Sequence, residues 1–168
     1  SAPARSAPIG CAARVARRLA VEIRAALAAD VTETDWLNAV PTDRPAVIVA
    51  DGLMGFLSKD DVVSLLNRLI SHFPSGEIAF NSYSKFAIWA TKHVPSTTSV
   101  ADLLEFPGVD DPRELESWNP RLKLIREILL TREPEIDEYP TAVRLYNRFL
   151  ATSTTLSRKG TIVLHYRF

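Results

Sequence analysis

The sequence is poor in the residues that mark several functional classes. Cys11 is the only cysteine, so no disulfide can form within the chain. No cluster of cysteines and histidines with metal-ligand spacing surrounds it, and no metal site is expected. A lone thiol suits a reducing cytoplasm. No apolar run approaches the roughly 20 residues of a membrane span, so no membrane partner is expected. Net charge is zero, which removes the electrostatic reason for the whole chain to bind nucleic acid. Glycine is scarce: of six, only Gly10 precedes Gly52. The first third of the chain therefore has no glycine-rich phosphate or dinucleotide loop. No G-x-S-x-G elbow of a hydrolase is present either.

The 168 residues suffice for one domain and not comfortably for two. Charge is skewed along them. Residues 1–29 carry Arg5, Arg14, Arg17, Arg18 and Arg24 against Glu22 alone, a net +4 that the remainder must balance. Such a basic, Ala-rich start has the composition of a transit peptide or a nucleic-acid arm. The arginine face of a solvated helix explains it as well. Residues 1–9 are rich in Pro, Ser and Ala and read as disordered. Over residues 12–27, Val15, Leu19, Ile23 and Leu27 recur four apart and predict a helix.

Beyond an acidic connector the pattern becomes that of an α/β domain. Ala46 to Ala50, AVIVA, is a β-branched run between turn signals and predicts a strand buried on both faces. Ser58 and Asp61 form a capping box. Val62, Leu65, Leu66, Leu69, Ile70 and Phe73 then make one apolar stripe at helical spacing. Pro74-Ser75-Gly76 ends that helix, and Glu77 to Tyr83 reads as a second strand. The order strand, helix, strand implies parallel neighbours joined by a crossover. Ser84 to Lys92 reads as helical, and residues 93–109 as a loop or lid. Asp111-Pro112 opens a short helix with Asp as cap and Pro at the first position. Leu122 to Glu127 is a third strand, Tyr139 to Ala151 a helix, and Thr161 to Phe168 an alternating final strand.

Few residues offer chemistry. Asp51-Gly52 follows a buried strand, where open parallel sheets bind ligands. Its carboxylate could take an ammonium or hydroxyl, although a tight turn alone accounts for the dipeptide. Asp30, before Val31, could accept from an amino group, or simply end a secondary-structure element. His72 falls at a helix C-terminus and His165 in the final strand. His93 lies in the presumed lid and is the one histidine with the placing of a base. Tyr83, past its strand, could line a substrate pocket or serve as a rim aromatic.

The order of the pieces carries more than any one of them. D-V-T-x-x-D-W-L precedes P-T-D-R-P-A, a strand, and acid-G-L. S-x-D-D-V-V-x-L-L and F-P-S-G-E-I-A-F follow, then D-D-P-R-E-L-E, P-R-L-K-L and a terminal Y-R-F. This ordered set, over about residues 30–168, resembles the leucine carboxyl methyltransferase family, in its tetracenomycin-type polyketide O-methyltransferase branch. The resemblance implies part of a class I, Rossmann-like methyltransferase sheet with helices on its faces and an antiparallel C-terminal strand. It implies S-adenosyl-L-methionine as cofactor. Asp30 and Val31 stand where the family contacts adenine. Asp51, with Gly52, stands where the family has a Glu facing the methionine part. Asn81 stands where relatives commonly have Asp, and Leu104-Glu105-Phe106 replaces a Trp-Gly pair.

Residues 1–29 do not resemble the family, so the chain divides into a divergent basic segment, 1–29, and part of a methyltransferase domain, 30–168. The function implied is methyl transfer to a hydroxyl or carboxyl oxygen of a polyketide-like or other small molecule, in the cytoplasm. No catalytic residue is assigned. A second reading, from a different class, is a truncated non-catalytic remnant acting in binding or association, because the family's glycine-rich loop has no counterpart here.

Overall fold

The computed structural model describes residues 27–93 and 101–168. Val31–Phe168 form one compact unit, and residues 27–30 belong to the unit before it. The helix expected over residues 12–27 and the disorder expected over residues 1–9 lie outside the described residues, except for Leu27, which with the following residues to Asp30 is exposed and irregular.

Strand β1 (Ala46–Ala50), helix α1 (Lys59–His72) and strand β2 (Gly76–Tyr83) form the expected crossover. The two strands are parallel, with Ala46 opposite Gly76 and Ala50 opposite Phe80. Helix α1 starts where its capping box sets it. Ser58 Oγ accepts from the Asp61 amide at 3.1 Å and donates to Asp61 Oδ2 at 2.6 Å. Its apolar stripe, Val62, Leu65, Leu66, Leu69 and Ile70, is buried and shares one core with Ile78, Phe80, Leu164 and Tyr166. Arg121, from P-R-L-K-L, closes the other end of the helix. Its guanidinium donates to Ile70 O at 2.6 Å and Pro74 O at 2.7 Å, where unpaired carbonyls and the helix dipole favour a cation.

Strand β3 (Lys123–Leu129) and strand β4 (Thr161–Arg167) complete a four-stranded sheet in the order β1-β2-β4-β3. Strand β4 runs antiparallel to both neighbours, as the resemblance implies. Tyr166 stacks on Phe80 at 5.7 Å, and its buried hydroxyl donates to Pro112 O at 2.6 Å. The chain end is sealed at Gly76, which exchanges two 3.0 Å backbone hydrogen bonds with Phe168. A Cβ at Gly76 would stand 2.5 Å from Ala46 O, so only glycine fits.

Helix α2 (Lys85–His93) follows β2, and helices α3 (Thr141–Leu150) and α4 (Thr154–Ser157) lie between β3 and β4. Asp111 caps the 3₁₀ turn Pro112–Ser117 by accepting from the Arg113 amide at 3.0 Å.

Two expectations need correction. Strand β1 is buried on one face only: Val47 is 84% and Val49 73% exposed. Among the described residues α1 covers the other face, and nothing forms the second layer that a doubly covered parallel strand requires. The segment 93–109 is not a free lid over its described part. Ala101, Leu104, Phe106 and Val109 are buried, and the Val109 amide donates to Tyr83 O at 2.9 Å. Gly108 turns there with φ +86°, its Cα against the backbone of Ser84 and Lys85.

Two stability predictions follow from these contacts. Leu66→Ala empties part of a closed core and lowers unfolding free energy by about 2–5 kcal/mol. Tyr166→Phe leaves Pro112 O unpaired in the interior and costs about 1–3 kcal/mol. Urea denaturation measures both, and a loss below about 0.5 kcal/mol at either would contradict this core. At the sheet's open face Glu77 accepts from Arg167 at 2.9 Å and meets His165 Nε2 at 2.8 Å. The Arg167 contact, then His165, holds the Glu77 carboxyl below its ordinary pKa. Its stabilising contribution is complete above the unfolded value of about 4.3 and fades as pH falls through the lower folded value. Melting temperatures of the wild type and Glu77→Gln should therefore differ near neutrality and converge in acid. A constant gap across the acid range would refute the pairing.

Candidate functional site

The carboxyl ends of β1 and β2 lie side by side because the strands are parallel and in register. At that end β1 breaks at Asp51-Gly52, where Gly52 adopts φ +69°. The turn is tied to the next strand. The Gly52 amide donates to Asn81 Oδ1 at 2.9 Å. This fixes the Asn81 amide, whose Nδ2 then points to the Tyr83 hydroxyl at 3.4 Å. Asn81 and Tyr83 are two apart on β2 and share a face, opposite the core face of Ile78 and Phe80. Asp51 is exposed, whereas Tyr83 is half-buried. Burial, and then the Asp51 charge, raises the Tyr83 pKa, so the phenol keeps its proton at neutral pH.

The rim is held as firmly. The turn Met54–Phe56 packs Gly55 close to the Tyr83 ring and Leu104. Gly55 O accepts from the Glu105 and Phe106 amides at 3.1 and 3.3 Å. The Leu104-Glu105-Phe106 segment is thus the brace of this turn. A Cβ at Gly52 would meet nothing within 4 Å, so open space lies over the turn. Chemically, the cluster presents an exposed carboxylate, a phenol donor and a backbone turn beside that space.

The predicted site residues are not all gathered here. Gly52 and Asp51 are together with Asn81 and Tyr83. Val31 is placed differently. Its carbonyl accepts from Arg68 Nη2 at 2.6 Å, in the second half of α1, and its side chain packs on the core. That half of α1 leads to the amino ends of the strands, away from Asp51. Arg68 Nη1 also binds Thr32 O at 3.0 Å, so one guanidinium gathers successive carbonyls of the D-V-T segment. Asp30 is exposed and lies in the preceding unit.

The histidines stand apart from the cluster. His72 Nε2 donates to Val40 O at 2.9 Å. His93 Nδ1 donates to Trp89 O at 2.7 Å within its own helix, and its ring stacks on Trp89 at 4.7 Å. His165 pairs with Glu77. None of them is joined to Asp51. Among the described residues no group of three His, Cys, Asp or Glu could hold a metal ion, and no helix is long and apolar enough to cross a membrane. Sequence reasoning missed Asn81 as the residue that ties the site together. The available signal was its place on the Tyr83 face of β2, beside the end of β1.

No protein-family profile matches the chain. Two characterised sequences do. The tetracenomycin polyketide synthesis O-methyltransferase TcmP of Streptomyces glaucescens is 34% identical over 97 residues, 58% of this chain and 36% of that protein. The S-adenosyl-L-methionine-dependent methyltransferase dpfgK of Gibberella zeae is 37% identical over 101 residues, 56% of this chain and 34% of that one. The chain thus spans about a third of the length of the curated relatives it matches. Among solved structures, a DUF574 family protein of Streptomyces avermitilis superposes with TM-score 0.52 at 15% identity, over 83% of this chain and 53% of the other. A Thermobifida fusca protein described as a candidate methyltransferase gives TM-score 0.51 at 14% identity, over 92% and 58%. These two establish the fold: part of a class I methyltransferase sheet. Over somewhat more than half of its length the chain is thus similar in sequence to two S-adenosylmethionine-dependent methyltransferases, the tetracenomycin-type one among them, and in fold to part of a class I methyltransferase.

Proposed function

We propose that this chain supplies one side of the cofactor site of an S-adenosylmethionine-dependent O-methyltransferase acting on a hydroxyl or carboxyl oxygen of a small, polyketide-like molecule in the cytoplasm. The observation that carries this reading is the Asp51-Gly52 turn, held by Asn81 at the carboxyl ends of two parallel strands, the end at which open α/β sheets bind ligands. The residues present fit one end of the cofactor. An exposed carboxylate suits the methionyl ammonium, and the space over Gly52 admits it. The remaining anchors of the family, a glycine-rich turn and a ribose-binding acid, have no counterpart around Gly10, the one glycine before Gly52. The cofactor, when bound, supplies a methyl group activated on a sulfonium. The work of the protein in such a transfer is chiefly positioning. Asp51 would orient the methionyl end, and Asn81 would keep Asp51 and Gly52 in place. Asp30 and Val31 remain candidates for the adenine end. Val31 would have to be brought toward the strand ends, because its carbonyl is held by Arg68 in the second half of α1.

The test is a titration of the ¹⁵N-labelled chain with S-adenosylmethionine at millimolar concentration, followed by amide chemical shifts. Gly52, Asn81 and Tyr83 should move first, and Asp51→Ala should suppress the movement. Shifts absent at saturating ligand, or confined to other elements, would count against this reading. They would favour a non-catalytic chain that acts in binding or association.

A further inference from the structure

Helix α3 is turned the wrong way round for a surface helix. Ala142, Leu145, Tyr146 and Phe149 recur at i, i+3, i+4 and i+7 and make one apolar stripe. In a globular domain such a stripe faces the core. Here it is the polar side that turns inward. Arg144 and Asn147 are half-buried, and Arg144 Nε is shut away from solvent with no hydrogen-bond partner among the described residues. The stripe is left outside. Tyr146 is 56% and Phe149 62% exposed, Leu145 and Val143 are exposed too, and Leu150 is the one buried residue of the helix. Tyr139, just ahead of the helix, is a further exposed ring at 53%. Taking roughly 150–250 Å² for a whole aromatic side chain, these rings with Leu145 and Val143 present about 500 Å² of apolar surface. That is at the upper end of what a monomer leaves open to water.

The size and the charge of this face both match a second copy of the same chain. Two copies set stripe to stripe would bury about 1,000 Å², the area at which a specific association begins. The charges around the stripe complement themselves. Glu133, Glu135, Asp137 and Glu138 precede the helix, and Arg148 stands in its last turn. Asp137 and Arg148 pair with each other at 2.8 Å, and both side chains are largely exposed, so they stand at the rim of the stripe. An antiparallel pair sets the acidic end of one helix against the basic end of the other and opposes the two helix dipoles. A parallel pair would set like charge against like. We propose that α3 is a self-association helix through which two copies of this chain pair antiparallel, about a two-fold axis. Leu145 and Tyr146 then meet their own copies near the axis, and Phe149 packs against Ala142 of the partner subunit. A two-fold contact uses the same patch on both copies and is closed, so association stops at the dimer. The inference does not depend on the proposed function.

Sedimentation equilibrium of the full chain, from micromolar to millimolar concentration, should show a monomer–dimer equilibrium. Phe149→Glu and Tyr146→Lys should each raise its dissociation constant by more than about tenfold, as loss of a central aromatic anchor does. Helix content and melting temperature should stay as in the wild type, because both side chains are exposed. Cys11 is the only cysteine, so Cys11→Ser combined with Leu145→Cys leaves one thiol, at the middle of the stripe. Mild oxidation should cross-link that variant into a dimer, and faster than Cys11→Ser combined with Ala142→Cys, whose thiol lies off the axis. A monomer over the whole concentration range would overturn the inference. So would open-ended assemblies in place of a dimer, or a dimer that both charge variants leave intact, since pairing would then run through another surface such as the edge of β1. Cross-linking at Ala142→Cys as fast as at Leu145→Cys would overturn the antiparallel arrangement.

Discussion

The packing of the α1 stripe onto the Ile78 and Phe80 face of the sheet is the constraint from which the site follows. Leu65, Leu66, Leu69 and Ile70 can be buried together only if α1 lies along the sheet. That in turn makes β1 and β2 parallel, because the chain must return to the same end before the second strand begins. Parallel strands bring their carboxyl ends to one edge of the domain. Asp51 and Asn81, 30 residues apart, become neighbours there. Arg121 makes the arrangement one-way by closing the carbonyl end of α1, and Phe168 locks Gly76 at the start of β2.

The site itself depends on a smaller constraint. A left-handed glycine at the end of a strand has a free amide, and Asn81 satisfies it. The same side chain then reaches Tyr83. One amide thus joins the turn of one strand to the phenol of the next, and each of its two ends has a fixed partner. An Asp at this position could accept from Gly52 but could not donate to Tyr83 when ionised. Asn serves both partners at once, accepting from the Gly52 amide and donating to the Tyr83 oxygen.

Much of the framework was legible in the sequence, for local reasons. The capping box at Ser58, the 3.6-residue stripe of α1, the Asp111-Pro112 start and the alternation of β4 are signals within one element, and each produced that element. What was not legible was long-range. A run such as AVIVA reads alike whether one or both faces are covered, so the exposure of Val47 and Val49 was invisible. No local pattern sets Arg68 and Arg121 apart from other arginines, and only the fold shows them gathering backbone carbonyls. The family motifs proved largely to be scaffolding. Asp110 accepts from the Lys85 amide, Asp111 caps its turn, and Tyr166 is buried on Pro112. They identified the fold well and said little about chemistry. At the candidate site, the place of Asp51-Gly52 after a strand is a local signal that a tight turn explains equally well, whereas Asn81 acts across a separation that no local pattern marks.

The central claim is that these residues form one end of a cofactor site and not the whole of it. Each missing charge-assisted contact is worth on the order of 1.5–3 kcal/mol. Two such absences, at about tenfold per 1.4 kcal/mol, weaken binding by roughly a hundredfold or more. Calorimetric titration of the 168-residue chain with S-adenosylmethionine measures this directly. The account predicts weak binding, with no micromolar dissociation constant. A micromolar constant that Asp51→Ala abolishes would contradict it, and would show that the chain holds a complete cofactor site.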